Sequence, residues 1–326
     1  MEKVRIGVIG CGGFMRYRLR RLLEVPEAEV VALVDTSPEQ LRLTLEAYPQ
    51  FQGVPTYADH VQMLASVQPD AVMIATPHTL HTQQILDAFE ADCHVIVEKP
   101  MVTSVADAHR VIAARNACGK QAMVSYQRHL QPEFRYIRER IASGEFGEVR
   151  VVQALLSQEW KRFTIGSWRQ DPALSGGGQL NDSGSHMLDI LLWTTGLRAE
   201  TVTAFCDNRE TLVDIDTTMS VRFEGGALGS ITIAGDAHNW HEDITIWCAK
   251  GTFFLRQGKL TIVDEPGNRF TVDHFAGGSH PDRNFIDAIL GRDEVQSPFE
   301  CGLRVMELTE AAWASSASGG APVRVA

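Results

Sequence analysis

Val4-Arg5-Ile6-Gly7-Val8-Ile9-Gly10-Cys11-Gly12-Gly13-Phe14-Met15 decides the fold. A short β-branched run ends in a glycine-rich turn and leads straight into the helical pattern MRYRLRRLLE at 15–24. Equally short, nearly continuously apolar runs recur at 30–35 (VVALVD), 70–76 (DAVMIAT), 94–98 (HVIVE) and 121–125 (QAMVS). Such runs are the signature of parallel strands buried on both faces. Helical patterns separate them. SPEQLRLTLEAY at 37–48 has Ser37 to cap it and Pro38 at its first helical position. HTLHTQQILDAFEA at 78–91 and SVADAHRVIAARNACG at 104–119 follow, the latter stopping at Gly119. Strand–helix–strand repetition predicts an α/β fold with a doubly wound parallel Rossmann sheet over residues 1–123.

After about residue 125 the rhythm changes. A helix at 132–144 precedes VRVVQALLSQ at 149–158, a glycine-rich turn, and a further helix at 185–196. Strand-like runs then follow at 201–206, 216–224, 227–235, 243–249, 251–257 and 259–264. Gly225-Gly226 and Pro266-Gly267-Asn268 mark turns between them, and adjacency favours antiparallel pairing. Two late helices, at 284–292 and 303–318, complete a predicted α+β domain spanning 124–326 with a large open, mainly antiparallel sheet. The last helix is expected to return to the first domain. A sheet of that size needs cover from helices or a second subunit, so a homodimer or homotetramer built on it is expected.

Composition narrows the function classes. The 326 residues are 44% hydrophobic and 22% charged, ordinary for a globular chain and unlike a disordered one. A net charge of −11 disfavours nucleic acid and anionic membranes, which want a basic face. No apolar run reaches the roughly 20 residues that span a bilayer. Cys11, Cys93, Cys118, Cys206, Cys248 and Cys301 are scattered without a CxxC pair, and are read as reduced thiols of a cytoplasmic protein. The partner expected is a small molecule.

The opening turn is a candidate dinucleotide site. Gly10 permits the tight turn, and Gly12 lets backbone approach a pyrophosphate at the helix N-terminus. Gly13, Phe14 and Met15 continue the same cofactor-binding turn, with Met15 where the usual fingerprint has its third glycine. Asp35 ends the second strand. Its carboxylate suits both ribose hydroxyls and would repel a 2′-phosphate; with Thr36 and Ser37 next, NAD is favoured over NADP. The plain alternative for Asp35 is a turn residue before a helix.

Further motifs are more specific. Ala75-Thr76-Pro77-His78 with His81 follows one strand, and Glu98-Lys99-Pro100 the next. Trp168-Arg169 comes later, then Gly176-Gly177-Gly178-Gln179-Leu180-Asn181-Asp182-Ser183-Gly184-Ser185-His186, with Asp189 beyond. This order and spacing, over essentially the whole chain, resembles the glucose–fructose oxidoreductase/inositol dehydrogenase/rhizopine-catabolism (Gfo/Idh/MocA) oxidoreductases. The resemblance implies an NAD-dependent enzyme moving a hydride between nicotinamide and a secondary alcohol or ketone of a sugar or cyclitol. It also implies a working trio in which His186 takes the hydroxyl proton, Lys99 positions and tunes that hydroxyl, and Asp182 binds a neighbouring one. Thr76, Pro77, His81, Glu98, Lys99, Gln127 and Arg169 are assigned to the cofactor. Arg128, Trp160 and Trp240 join the trio toward substrate.

The residue chemistry agrees. Lys99 leaves the carboxyl end of a strand, where ligands of open α/β sheets sit, and an ammonium stabilises a developing alkoxide. Histidine titrates near neutrality, as a general base should. Asp182 and His186 are four apart, on one face if the helix has begun. Plainer roles stay open: Lys99 as a surface charge, Asp182 as a helix cap, His186 as a core histidine, Asp189 as a helix anchor. Trp160 at a strand end either stacks on a sugar or simply packs. Lys161, Arg162 and Arg169 either meet an acidic group or are solvated. His78-x-x-His81, Cys93-His94 and His238-x-x-His241-Glu242 lack a full ligand set, so no metal is expected. Three other readings remain: an NAD-dependent glycosidase working through transient oxidation and elimination, a dihydrodiol or biliverdin reductase-like enzyme with a more apolar pocket, and a non-catalytic sugar or NAD sensor. Intact Lys99 and His186 speak against the sensor.

Overall fold

The computed structural model describes residues 3–326; Met1 and Glu2, at the start of the expected first domain, lie outside the described residues. The chain divides into two compact units. One comprises residues up to Val102, Ala106–Tyr126 and Ser279–Gly302; the other comprises Thr103–Val105, Gln127–Gly278 and Leu303–Ala326.

In the first unit, β1 (Val4–Ile9), α1 (Gly13–Leu22), β2 (Ala28–Val34), α2 (Pro38–Ala47), β3 (Thr56–Tyr57) and α3 (His60–Val67) follow one another. Then come β4 (Ala71–Ile74), α4 (His81–Glu90), β5 (His94–Val97), most of α5 (Val105–Cys118) and β6 (Ala122–Val124). All six strands run parallel in the order β3-β2-β1-β4-β5-β6. β4 and β6 are buried along their whole length, which is why their sequences do not alternate. The order reverses beside β1. Its carboxyl end is therefore the switch point at which an open α/β sheet receives ligands.

The second unit contains α6 (Pro132–Ala142), β7 (Val149–Ser157), α7 (Trp160–Thr164), α8 (Pro172–Ser175) and α9 (Ser183–Thr195). Its remaining strands are β8 (Ala199–Asp207), β9 (Asp216–Phe223), β10 (Leu228–Ala234), β11 (His241–Cys248), β12 (Gly251–Arg256), β13 (Lys259–Val263), β14 (Arg269–Val272) and β15 (Val323–Arg324). They form a nine-stranded sheet ordered β14-β13-β12-β11-β7-β10-β9-β8-β15. β9 alternates buried and exposed residues throughout, as a half-covered strand must. α9 packs on β7, and α6 packs on α9. α10 (Pro281–Ile289) belongs to the first unit, and α11 (Phe299–Ala317) counts with the second from Leu303 onward.

Three details differ from the sequence expectation. The short strands β3, β14 and β15 carry too few residues to show a period. β10 pairs with β7 in parallel, the exception in an otherwise antiparallel sheet, because pairing across intervening elements leaves no trace in local pattern. β7 ends at Ser157, so Trp160 opens the short helix α7 rather than closing the strand.

Candidate active site

The first unit supplies a phosphate cradle. Gly10 has φ +90°, and a Cβ there would lie 2.6 Å from the Ala75 carbonyl oxygen, so the turn closes only on glycine. At Gly12, the N-cap of α1, no described atom lies within 4 Å of where a Cβ would be. No side chain caps this helix among the described residues, which leaves its first N–H groups for an incoming anion. Asp35 lies across the turn: Oδ2 accepts from Cys11 N at 2.8 Å, and Oδ1 from Ser37 N at 2.8 Å. Ser37 caps α2, as expected. Arg16, which the sequence did not single out, donates to Cys11 O at 2.7 Å and Gln40 Oε1 at 2.8 Å. The cradle and the ribose-side carboxylate fit a dinucleotide. The Met15 side chain is buried in the core at the missing-glycine position, while Phe14 stands half exposed beside Tyr17.

The strand-end loops are held from behind. His81 is fully buried; Nδ1 faces Pro100 O at 2.9 Å and Nε2 faces Thr76 O at 3.0 Å. Burial pushes its pKa down, against the carbonyls of Pro100, Thr76 and Met101 and together with the charge of Lys99. His81 thus joins the loops after β4 and β5, with both ring nitrogens at backbone oxygens. Thr76 Oγ1 donates to Gln84 Oε1 at 2.6 Å, and Pro77 follows in extended backbone.

Glu98 is also buried behind the loops. Its buried carboxylate accepts from Arg18 Nη1 at 2.8 Å, and Arg18 Nη2 donates to Asp282 Oδ1 at the start of α10. All three are buried, tying α1, the end of β5 and α10 together. This interior pair makes the Glu98 carboxylate a strut beneath the loop. Burial raises Glu98, opposed by Arg18 and Lys99; Asp282 feels the same burial, yet Arg18 and His280 hold it below the usual range. Lys99 follows directly at the mouth of β5, half-buried, and its peptide to Pro100 is cis.

The second unit presents Asp182 and His186. Asp182 is the N-cap residue of α9, but its side chain makes no cap hydrogen bond. Instead Oδ2 accepts from Trp160 Nε1 at 2.9 Å and Arg169 Nε at 3.1 Å. Its carboxylate is therefore turned away from the helix it begins. His186 lies on the one partly exposed stripe of α9, with Ser183, among otherwise buried neighbours. Arg169 also stacks on Trp168, 4.5 Å from the ring centroid. Trp160 is 3% exposed and clusters with Val213 and Ile215. Its indole N–H needs an acceptor once buried, and Asp182 supplies it.

Other expected residues scatter around this end of the sheet. Trp240 is 54% exposed in the loop before β11, whose Asn239 carbonyl accepts from Ser157 Oγ at 3.1 Å. Gln127 is exposed, whereas Arg128 is buried and pairs with Glu242 at 2.6 Å. His129 and Asp189 form a buried pair at 2.9 Å that anchors α9 to the 127–130 turn, with burial raising the Asp189 carboxyl against His129. Asp214 was not anticipated. It accepts from Gly178 N, Leu180 N and Trp313 Nε1, at 2.9, 2.8 and 3.1 Å. Its sequence signal was present: an acid between Val213 and Ile215 in a run that otherwise reads as strand.

Two family models match the chain. The model for the oxidoreductase family, NAD-binding Rossmann fold, covers residues 4–126, and the GFO/IDH/MocA C-terminal domain covers 134–254. The chain belongs to the GFO/IDH/MocA oxidoreductase family. Among curated relatives, D-glucoside 3-dehydrogenase of Escherichia coli (strain K12) is 28% identical over 60% of this chain and 55% of its own length. Myo-inositol 2-dehydrogenase of Thermotoga maritima is 26% identical over 82% of this chain and 80% of its own. The chain spans 61%, 55% and 42% of the length of three curated relatives it matches, D-glucoside 3-dehydrogenase being the second of them. The crystal structure of the WlbA dehydrogenase from Bordetella pertussis, in complex with NADH and UDP-GlcNAcA, has TM-score 0.86 and 26% identity. That match covers 100% of this chain and 99% of the other. Among the described residues no helix is long and apolar enough to cross a membrane.

Proposed function

We propose that the protein is an NAD(H)-dependent oxidoreductase acting on a secondary alcohol, or the matching ketone, of an uncharged sugar or cyclitol. One observation carries this reading: the Asp182 carboxylate is turned off its helix cap and fixed by Trp160 and Arg169, with His186 one turn further along α9. A carboxylate with only a capping role would face the N–H groups of α9. The dinucleotide is held by the Gly10–Gly13 turn, the N-terminus of α1 and Asp35. When bound, NAD+ supplies a hydride acceptor. His186 accepts the hydroxyl proton, Lys99 stabilises the oxygen as negative charge grows on it, and Asp182 accepts a hydrogen bond from the neighbouring hydroxyl.

An uncharged substrate is favoured by the state of the nearby cations. Lys161 pairs with Asp236 at 3.2 Å, Arg162 with Glu159 at 2.6 Å, Arg128 with Glu242, and Arg169 with Asp182. A phosphate or carboxylate would have to displace a carboxylate at each. The test is turnover of NAD+ with a panel of polyols, sugars, sugar phosphates and aryl glycosides. NADH formed with the uncharged alcohols is the expected result. Glycoside cleavage without net NADH would favour the elimination chemistry of a glycosidase instead, and nucleotide binding without any turnover would favour a sensor.

Asp35 sets the cofactor choice. Asp35→Asn removes the charge that repels a 2′-phosphate and weakens the grip on the ribose, with Arg16 left beside the turn. Fluorescence titration is expected to show NADH binding weakened by roughly ten- to a hundredfold, with NADPH gaining relative to it. Unchanged preference would remove Asp35 from this role.

A homo-oligomer built on the outer face of the nine-stranded sheet is part of the same proposal. Val151, Phe205 and Leu228 are 41%, 60% and 48% exposed on that face. Light scattering is expected to give two or four protomers; a monomer at micromolar concentration would contradict it.

A further inference from the structure

We propose that Asp214 is a positioning residue for the reaction, anchoring the Gly178–Asp182 turn so that Asp182 is presented in one fixed orientation. This rests on the assignment of Asp182 to substrate made above. The anchor has a backbone half and a side-chain half, and both come from one short segment.

The backbone half is the Asp214 carboxylate. Oδ1 accepts from Gly178 N and Oδ2 from Leu180 N, while Gln179 N donates to the Asp214 carbonyl at 2.8 Å. Three successive amides of the turn are thus bound to one residue. Gly178 O in turn accepts from Asp182 N at 3.0 Å, passing the constraint to the residue that matters. The approach is so close that a Cβ on Gly178 would lie 1.8 Å from the Asp214 carbonyl oxygen. Only glycine fits there, which accounts for that position in the glycine run. Trp313 Nε1 completes the acceptor set on Oδ1.

The side-chain half consists of the residues on either side. Val213 and Ile215 pack with Trp160, whose indole N–H holds Asp182 Oδ2. Alternate residues of 213–215 therefore serve alternate halves of Asp182: Asp214 fixes its backbone through Gly178, and its two neighbours support the ring that fixes its carboxylate. Asp214 is itself 7% exposed, and it meets the turn with a complementary acceptor for each donor. A displacement of about 1 Å in a group that positions substrate can lower turnover by roughly 10²-fold.

Asp214→Asn keeps the volume but sets an amide N–H2 against a backbone N–H. Hydrogen exchange read by mass spectrometry on peptides covering 177–186 is expected to speed up by about tenfold or more, while peptides of 4–97 stay as in the parent. Steady-state kinetics on the same sample should show kcat lower by roughly ten- to a hundredfold, with NADH affinity unchanged. Asp214→Glu, which restores the acceptors at longer reach, should recover part of both. Unchanged exchange at 177–186 in a folded Asp214→Asn protein would overturn the anchoring. Faster exchange with undiminished turnover would overturn the positioning role. Absence of turnover in the parent protein would count against the oxidoreductase reading, and the exchange result would decide the anchor on its own.

Discussion

Replacing His186 by asparagine is expected to lower kcat by roughly 10²–10⁴-fold, the range that a positioned general base contributes. NADH affinity should stay within a factor of about two. Both halves of that expectation come from where the residue sits. His186 occupies the partly exposed stripe of α9, whose other positions are largely buried, so the helix keeps its packing when the imidazole is removed. The Gly10–Gly13 turn and Asp35 belong to the first unit, and the exchange removes none of their hydrogen bonds. Steady-state kinetics paired with a fluorescence titration separates the two quantities. Turnover undiminished in both His186→Asn and Lys99→Ala would sink the acid–base assignment.

The largest expected effect on stability is at Arg18. Arg18→Met leaves the buried Glu98 and Asp282 carboxylates without their cation, and breaking a buried pair in this way costs about 3–5 kcal/mol. Thermal unfolding is expected to move down by about 10 °C. The pH dependence follows from the two shifts. In the parent protein burial raises Glu98, so its contribution is full below the unfolded-state value and is lost as pH rises through the folded value. Asp282 is burdened by the same burial but is lowered by Arg18 and His280. Its contribution is present above the unfolded-state value and is lost as pH falls through the folded one. Removing Arg18 takes the main lowering influence from both, so both carboxyls rise. The deficit of the variant is then greatest where both must ionise and shrinks as acid protonates them. Calorimetry should therefore find a wider gap between parent and variant at about pH 8 than at about pH 5. A gap independent of pH would mean that lost packing, and not stranded charge, is responsible.

How much of this was legible in the sequence depends on how local each cause is. Five of the six strands of the first unit announced themselves because burial leaves an apolar run, and Gly10 because a tight turn at a strand end demands it. Asp182 and His186 were legible as a four-residue spacing at a helix start, where Asp182 is the N-cap residue and His186 lies in the first turn. Arg18 was not: its partner Asp282 is 264 residues away, and nothing in a helix bearing Arg16, Arg18, Arg20 and Arg21 marks the buried one. Glu98 and His81 stood out beside the strand-end loops, but their partners, Arg18 and the Pro100 and Thr76 carbonyls, left no local trace. The setting of Trp160 was hidden for a related reason. Sequence placed it at a strand end, whereas the buried indole answers to Asp182, 22 residues on. Asp214 lies 36 residues from Gly178, so the turn and its anchor are separate motifs until folding joins them.

The most direct test of the central claim is the transfer of label from substrate carbon to cofactor. Purified protein is incubated with NAD+ and uncharged sugars and cyclitols deuterated at their carbinol carbons, and the nicotinamide is then read by mass spectrometry. The account expects at least one of these alcohols to deliver its deuterium to the nicotinamide ring, and expects His186→Asn to abolish the transfer. Unlabelled cofactor from every alcohol in the set would contradict it.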